Sequence, residues 1–572
     1  MVMIYIFQRK WIKPGLGEMR GDLIGCMCAV TGKTVVEGDV EVSEGIDYAR
    51  FYTTSMKQFA ELPDVDIAPK GTILVISPWN FPCAIPIGGI VAGLAGGNTV
   101  ILKPATVAAP VAWLFAKAFW DAGVPKEALQ VIITDREALK VLTTAPAVKH
   151  IILTGGTDTA QNIARSNPAT PLSAETGGKN AIILTASGDR DHAIMNIVAS
   201  AFGNAGQKCS ACSLLLVERS VYEDKNFQDK LKDAATSMKV GSVWNPWNVV
   251  GPMITNKNDK LLKDLELEKG ESWLVRPRFL DKHKYVLAPT VKWGVRPGNY
   301  SFRTELFGPM LSVVCIENLQ QGIDLVNSLE YGLTSGLQSL DEGEQKLWKD
   351  SIMAGNLYIN RGITGAIVNR QPFGGMKLSA FGGGVKAGGP NYCACFVNIA
   401  DKPGSTTDYT QSYVKAYEQE FAHARDVNNL YGEQNAFRYL PLKNMVLRLF
   451  PGDNNEDAKM IALAARICHT PLSISFEPGD DRTAALASLG CPLKEEALAG
   501  FLKSMKNYER IRTCGADIPM EMYEEAARID KYIATAKPVK DGRVELIHYI
   551  KEQSISFEYH RYGSILEVPP VE

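Results

Sequence analysis

The sequence predicts an α/β protein built on parallel sheets buried on both faces. Three observations carry that reading. From Gly71 onward, β-branched apolar runs alternate with helical patterns. The runs are continuous rather than alternating with polar residues, as strands covered on both faces require. The fifty glycines gather around motifs and form no low-complexity tract.

The first strand is Thr72-Ile73-Leu74-Val75-Ile76. Residues 88–95 predict a helix packed by small residues, and Thr99-Val100-Ile101-Leu102 the next strand. A helix at 111–119, a strand at 129–133 and His150-Ile151-Ile152-Leu153 complete a doubly wound nucleotide-binding design. A second α/β segment begins near Ala181-Ile182-Ile183-Leu184 and runs to about Tyr358. The polar stretch after Asp401, with Gly404-Ser405-Thr406-Thr407, predicts a linker. Beyond it, Met445-Val446-Leu447-Arg448-Leu449-Phe450, an Ala-rich helix at 457–467 and Leu472-Ser473-Ile474-Ser475-Phe476 open a further α/β unit.

A chain of 572 residues is too long for one core and predicts about three lobes. A formal net charge of -2 gives no reason to expect nucleic acid or an anionic membrane as partner. Eleven cysteines without framework spacing, and no secretory signal, read as reduced thiols of a cytoplasmic protein. Residues 1–7 are apolar but too few for a signal peptide or anchor. Residues 83–102 approach the length of a membrane span, yet Pro86, five glycines and Asn98 interrupt them. A buried helix running into a strand is the expectation there.

Chemistry centres on Cys209, in Gly206-Gln207-Lys208-Cys209-Ser210-Ala211. Small neighbours leave room for a substrate, and the adjacent Lys208 predicts a favoured thiolate. Most cysteines are small buried hydrophobes, so the thiol needs partners before it counts. Cys212 completes Cys-Ser-Ala-Cys, but this is not the setting of a dithiol redox motif, and no metal site is predicted. Glu175 lies in a Gly-rich turn, Ala174-Glu175-Thr176-Gly177-Gly178. Asn80, in Ser77-Pro78-Trp79-Asn80-Phe81-Pro82, follows a strand and offers a rigid amide to a carbonyl oxygen; alone it reads as a turn residue. Lys103, after the next strand, can reach ribose hydroxyls or a phosphate. Thr154-Gly155-Gly156-Thr157 precedes a helix with free N–H groups for a pyrophosphate. Glu305 and Phe307 offer a carboxylate for a ribose diol and an aromatic face for a nicotinamide.

The order Asn80, Lys103, Gly155, Glu175, Cys209, Glu305-Phe307, Pro372-Phe373-Gly374-Gly375 strongly resembles the aldehyde dehydrogenase superfamily over about residues 21–400. The resemblance implies a fold with a Rossmann-type NAD(P)-binding domain, an α/β catalytic domain and a C-terminal α/β extension. It implies Cys209 as nucleophile, Asn80 as oxyanion donor and Glu175 as base. Ile76, Pro78, Trp79, Lys103, Thr106, Gly155, Gly156, Thr157, Glu305 and Phe307 would line the cofactor. Thr106 stands where the family has an acid three residues after the cofactor lysine, which leaves NADP open beside NAD. Gly156 stands where a serine is common, and Lys377 where a glycine is expected.

Arg361-Gly362-Ile363-Thr364-Gly365-Ala366 and Lys386-Ala387-Gly388-Gly389-Pro390-Asn391-Tyr392 look like the glutamate-γ-semialdehyde (1-pyrroline-5-carboxylate) dehydrogenases of proline catabolism. In that branch Ser210 and the Gly365-Ala366 loop would anchor the substrate α-carboxylate, with Phe81 and Phe373 as walls. Tyr431-Gly432-Glu433-Gln434-Asn435 and Glu552-Gln553-Ser554-Ile555-Ser556 look like the end of bifunctional PutA proteins, where a non-catalytic domain follows. The expected division is residues 1–20 unassigned, 21–178 for cofactor, 179–370 catalytic, 371–400 a return segment, 401–440 linker and 441–572 the non-catalytic domain. About a hundred residues that precede Leu23 in the family are absent, as is the proline dehydrogenase barrel. The resemblance therefore implies a truncated or separated half, with a proline dehydrogenase as candidate partner and a homo-oligomer if complete. Two alternatives stay open: a dehydrogenase of another semialdehyde such as succinate semialdehyde, and a non-catalytic scaffold.

Overall fold

The computed structural model describes residues 15–515 and 517–565. The apolar start at residues 1–7 lies outside the described residues, as does most of the unassigned segment 1–20. Two helices, Arg20–Thr31 and Val35–Ala60, stand near the start of the described residues. Gly32 ends the first in the left-handed region at φ 70°, and a Cβ there would sit 2.9 Å from Pro252. Thr34 and Glu37 close a reciprocal capping box at the start of the second.

Six strands form the first sheet, in the order Ala380–Phe381, Leu172–Glu175, Val148–Thr154, Thr72–Ser77, Thr99–Pro104, Leu129–Val131. All pairings are parallel except that of Ala380–Phe381. Ile73, Leu74, Val75 and Ile76 are all buried, which is why the run shows no alternation. Strand order reverses between Thr72–Ser77 and Val148–Thr154, so a crevice opens beyond their carboxyl ends. The helix Ala84–Ala95 lies close against this sheet. A Cβ on Gly89 would fall 2.9 Å from Val75, and one on Gly93 2.8 Å from Val100. The interrupted apolar stretch is thus a buried helix running into a strand. Among the described residues no helix is long and apolar enough to cross a membrane.

The second sheet has nine strands, in the order Glu433–Pro441, Ile550–Glu558, Asn356–Ile359, Thr334–Gln338, Asn180–Leu184, Cys212–Glu218, Met310–Ile316, Thr290–Trp293, Ser272–Val275. Ile182, Leu215 and Val217 pack with Phe202 on one face; Ile183, Leu214 and Leu216 share the opposite core with Trp348. A five-stranded parallel sheet follows in the order Leu493–Glu495, Leu472–Phe476, Met445–Arg448, Arg510–Arg512, Tyr532–Ala534.

The stretch expected to be a linker differs from that expectation. It holds the helix Tyr409–Ala416 and the strand Glu433–Pro441, which pairs antiparallel with Ile550–Glu558 along its whole length. Ile550–Glu558 in turn lies parallel to Asn356–Ile359. Two strands from the C-terminal region therefore extend the sheet that carries the thiol loop. Glu433–Pro441 is half-buried at the sheet edge and lacks a clean apolar pattern, which hid it in the sequence.

Ile555 packs into the same core as Trp348 and Leu357. Ile555→Ala is expected to destabilise the catalytic sheet by about 2–4 kcal/mol. Urea unfolding followed by a probe near Trp348 checks this; an unchanged midpoint would show that the last strand is not part of that core.

Candidate active site

Residues 176–179 carry the chain from Leu172–Glu175 in one sheet to Asn180–Leu184 in the other. The two glycines in this crossing permit close approach. A Cβ on Gly177 would lie 2.9 Å from the Glu305 carboxyl carbon, and one on Gly178 2.7 Å from the Cys209 carbonyl oxygen. Asn180, just after the crossing, donates Nδ2 to the carbonyls of Cys209 (2.6 Å) and Ala211 (3.0 Å). Its Oδ1 accepts the Thr334 N–H at 3.1 Å.

The loop before the thiol bends through three consecutive left-handed residues, Asn204 (φ 51°), Ala205 (φ 54°) and Gly206 (φ 67°). Two are not glycine, so the turn stores strain that the surrounding packing must hold. At Gly206 any side chain would strike the Gly308 carbonyl. The thiol loop thereby touches the loop of Glu305 and Phe307.

Burial pushes the Cys209 thiol up to about 12, and the Glu305 and Glu175 carboxylates push the same way. The N–H groups of Ser210 and Cys209 pull it back. Lys208 is engaged elsewhere. Its Nζ lies 3.2 Å from Glu37 Oε1, turned toward the capping box of Val35–Ala60. The expectation that Lys208 activates the thiol is therefore corrected: Lys208 opens a turn closed by the Ala211 N–H on its carbonyl, and the helix carboxylate of Glu37 claims the ammonium. Cys212 is buried and all described cysteines are free, with no cluster of potential metal ligands among the described residues.

Asn80 is buried and donates Nδ2 to the Gln207 carbonyl at 2.9 Å, which fixes its amide beside the thiol loop. Its own carbonyl accepts from Lys33 Nζ at 2.7 Å, and that ammonium also lies 4.1 Å over the Phe81 ring. Lys33 pairs with Glu41 at 3.0 Å with both side chains buried, and Glu41 Oε1 accepts the N–H groups of Cys83 and Ala84. Glu175 accepts the Gly375 N–H at 2.9 Å, and burial raises its carboxyl well above the usual range. The acid thus rests against the Gly374-Gly375 turn.

The residues read as cofactor-binding line the crevice at the strand ends. Ile76 is buried, Pro78 and Trp79 are half-buried, and Trp79 meets Phe307 edge-on at 5.8 Å. Phe307 is itself left-handed at φ 53°. Burial lowers the Lys103 ammonium, while Thr106 is exposed at the start of a short turn. Gly155 and Gly156 precede the helix Thr157–Ser166, which has no side-chain cap, so its first N–H groups face the crevice. Thr157 Oγ1 lies 3.2 Å from the Tyr331 hydroxyl. Glu305 Oε1 accepts the Gly178 N–H at 2.9 Å. A cation, an uncapped helix start and a carboxylate are a donor set that fits a dinucleotide.

On the substrate side, Ser210 is buried and Phe81 and Phe373 are half-buried. Phe373 exchanges both backbone hydrogen bonds with Ala387. Gly365 is left-handed at φ 80° and exposed, with open space where a Cβ would be, and Ala366 follows it.

A model of the aldehyde dehydrogenase family matches residues 12–401. The chain belongs to the aldehyde dehydrogenase family. It is 34% identical over 419 residues to a 1-pyrroline-5-carboxylate dehydrogenase of Geobacillus sp. (strain WCH70), covering 67% of this chain and 81% of that one. Over 382 residues it is 33% identical to the protein of that name from Bacillus subtilis (strain 168), covering 63% and 73%. Among solved structures it resembles proline utilization A (PutA) from Corynebacterium freiburgense, with a TM-score of 0.87 and 36% identity. That match covers 99% of this chain and 57% of PutA, so this chain spans little over half of that protein. A Thermus 1-pyrroline-5-carboxylate dehydrogenase with bound NAD matches with a TM-score of 0.65 and 31% identity, over 70% and 81% of the two chains. The aldehyde dehydrogenase-like α/β fold follows from these matches.

Sequence reasoning missed the supports: Lys33, Glu41, Asn180 and Asn356. Only a buried charge in a helix-pair loop, or an Asn flanking the glycine turn, hinted at them.

The resting thiol is expected to alkylate slowly at neutral pH. Glu305→Gln removes a charge that raises it and should speed iodoacetamide labelling of Cys209 by about threefold or more. Lys208→Met should leave that rate unchanged. Mass spectrometry of the labelled peptide reads both, and slowing in Lys208→Met would restore the activating role.

Proposed function

We propose that this chain oxidises L-glutamate γ-semialdehyde, the open form of 1-pyrroline-5-carboxylate, to L-glutamate with NAD as acceptor. The observation that carries the reading is the convergence of Cys209, Asn80 and Glu175 at the crossing between the two sheets. Kinship with 1-pyrroline-5-carboxylate dehydrogenases supports the substrate.

Cys209 attacks the aldehyde carbon as its proton passes to the nearby Glu175 carboxylate, which returns it to solvent before hydrolysis. The Asn80 amide and the Cys209 N–H hold the negative oxygen; both are fixed before reaction, so no reorganisation is needed. Ile76, Pro78, Trp79, Lys103, Thr106, the turn Gly155-Gly156-Thr157, Glu305 and Phe307 would hold the dinucleotide, which supplies the hydride acceptor that makes a thioester attainable. Glu175 then takes a proton from water as it attacks the thioester carbonyl, and the C–S bond breaks to release L-glutamate and return the Cys209 thiolate. Ser210 and the N–H groups of Gly365-Ala366 would bind the substrate carboxylate, with Phe81 and Phe373 against the aliphatic chain. Thr106 presents no carboxylate to repel a 2′-phosphate, so NADP is a second acceptor to assay. A proline dehydrogenase is the proposed partner, supported by the likeness to PutA, and homo-oligomerisation belongs to the same proposal.

Cys209→Ser should abolish NADH formation from 1-pyrroline-5-carboxylate. Wild-type kcat/KM should exceed that for succinate semialdehyde by at least about tenfold, since that aldehyde is one carbon shorter and its carboxylate would leave the anchor groups unpaired when its carbonyl sits at Cys209. Equal efficiencies would sink the narrower substrate. Silence of the wild type with both aldehydes, together with binding to a proline dehydrogenase, would favour a scaffold.

A further inference from the structure

The last long strand of the chain reaches the back of the Gly374-Gly375 turn. In register with Asn356–Ile359, Ile550–Glu558 sets Ser554 opposite Asn356. Ser554 Oγ donates to the Pro372 carbonyl at 2.6 Å, and Asn356 Nδ2 to the same oxygen at 3.0 Å. Asn356 Oδ1 accepts the Gly374 N–H at 3.2 Å and Lys386 Nζ at 3.1 Å. Lys386 also donates to the Gly374 carbonyl, so its buried ammonium sits directly behind the turn that binds Glu175.

Gly374 brings the two residues together. A Cβ there would lie 2.9 Å from Glu175 Oε1 and 3.2 Å from Lys386 Cγ, so both side chains close on the same glycine. Glu552 holds Lys386 from behind: its Oε2 accepts the Lys386 N–H at 2.6 Å and its Oε1 the Asn391 amide at 2.7 Å. The mechanism above uses neither Lys386 nor Glu552. Both are buried charges, which proteins retain only when paired or put to use.

We propose that Lys386 and Glu552 are a positioning pair, through which the C-terminal strand holds the orientation and the charge of the Glu175 carboxylate. This rests on the reading of Glu175 as the base. Burial raises both carboxyls and lowers the ammonium; Lys386 opposes the shift on each acid, and both acids oppose the shift on Lys386. Other groups face the set. Glu175 also has Cys209, Tyr48 and Tyr392 nearby. Around Glu552 stand Arg543, Tyr439 and Cys395. Among the charges of the described residues, the Lys386 ammonium is the one that favours the ionised form of Glu175.

The sign is then fixed. Without the ammonium the buried carboxyl holds its proton to higher pH. Lys386→Met should move the acid limb of kcat, and the Glu175 titration itself, upward by about one pH unit or more. Glu552→Gln, which keeps its shape, should move both in the same direction by less. Ser554→Ala, on the same strand but uncharged, should lower kcat without moving the limb. Difference infrared spectroscopy of the Glu175 carboxyl band, assigned with Glu175→Gln, reads the titration in the folded protein without aldehyde or NAD. A limb and an infrared midpoint that stay put in folded Lys386→Met and Glu552→Gln would overturn the proposal. An infrared shift in a protein that makes no NADH would uphold the pair and sink the proposed function instead.

Discussion

The whole site depends on one constraint: residues 176–179 must bring two sheets into backbone contact. Burying polar backbone without partners is costly, and the crossing places three of its backbone groups on partners. Thr176 hands its N–H to Ser379, Ser379 Oγ donates to Gly177, and Gly178 donates to Glu305. Asn180 then ties the thiol loop to the start of Thr334–Gln338. Acid, thiol and ribose-side carboxylate come from three distant stretches, yet their spacing is fixed by this single short passage. A larger residue at Gly177 or Gly178 would force the sheets apart and separate the groups together.

Buried ion pairs secure the same region from outside. Lys33 and Glu41 lock the Asn80 loop to the N-terminal helix, and Lys292 pairs with Asp264 and Glu271 beneath the Glu305 side. Such pairs add little net stability, but leaving one charge alone costs about 3–5 kcal/mol. Their value here is geometric. A misplaced helix would strand a charge, so alternative dockings of the loop are disfavoured.

Much of the first sheet was legible because its strands are continuous buried runs such as Thr72–Ser77, whose burial on both faces leaves an unmistakable pattern. Cys209, Glu175 and Asn80 were legible because their order along the chain matches a known family, and the fold then gathers them. Two readings failed for physical reasons. Lys208 is next to the thiol in sequence, but its direction is set by Glu37, some 170 residues away, which no local reading could weigh. Glu433–Pro441 is paired by Ile550–Glu558 and draws its order from that partner rather than from its own pattern. Lys386 and Glu552 were visible as motif residues, but their relation to Glu175 exists only across strand pairings.

The pairing of Asn356 with Ser554 joins residues about 200 apart in the chain, and loops of that length close late. During synthesis the thiol loop and the glycine crossing emerge well before the strand that backs them. An aldehyde-reactive cysteine would thus be made early, while the groups that tune its hydrolytic partner arrive last. On that reading the nucleophile of a nascent chain takes shape before the strand that tunes its base, so the order of synthesis sets attack ahead of hydrolysis.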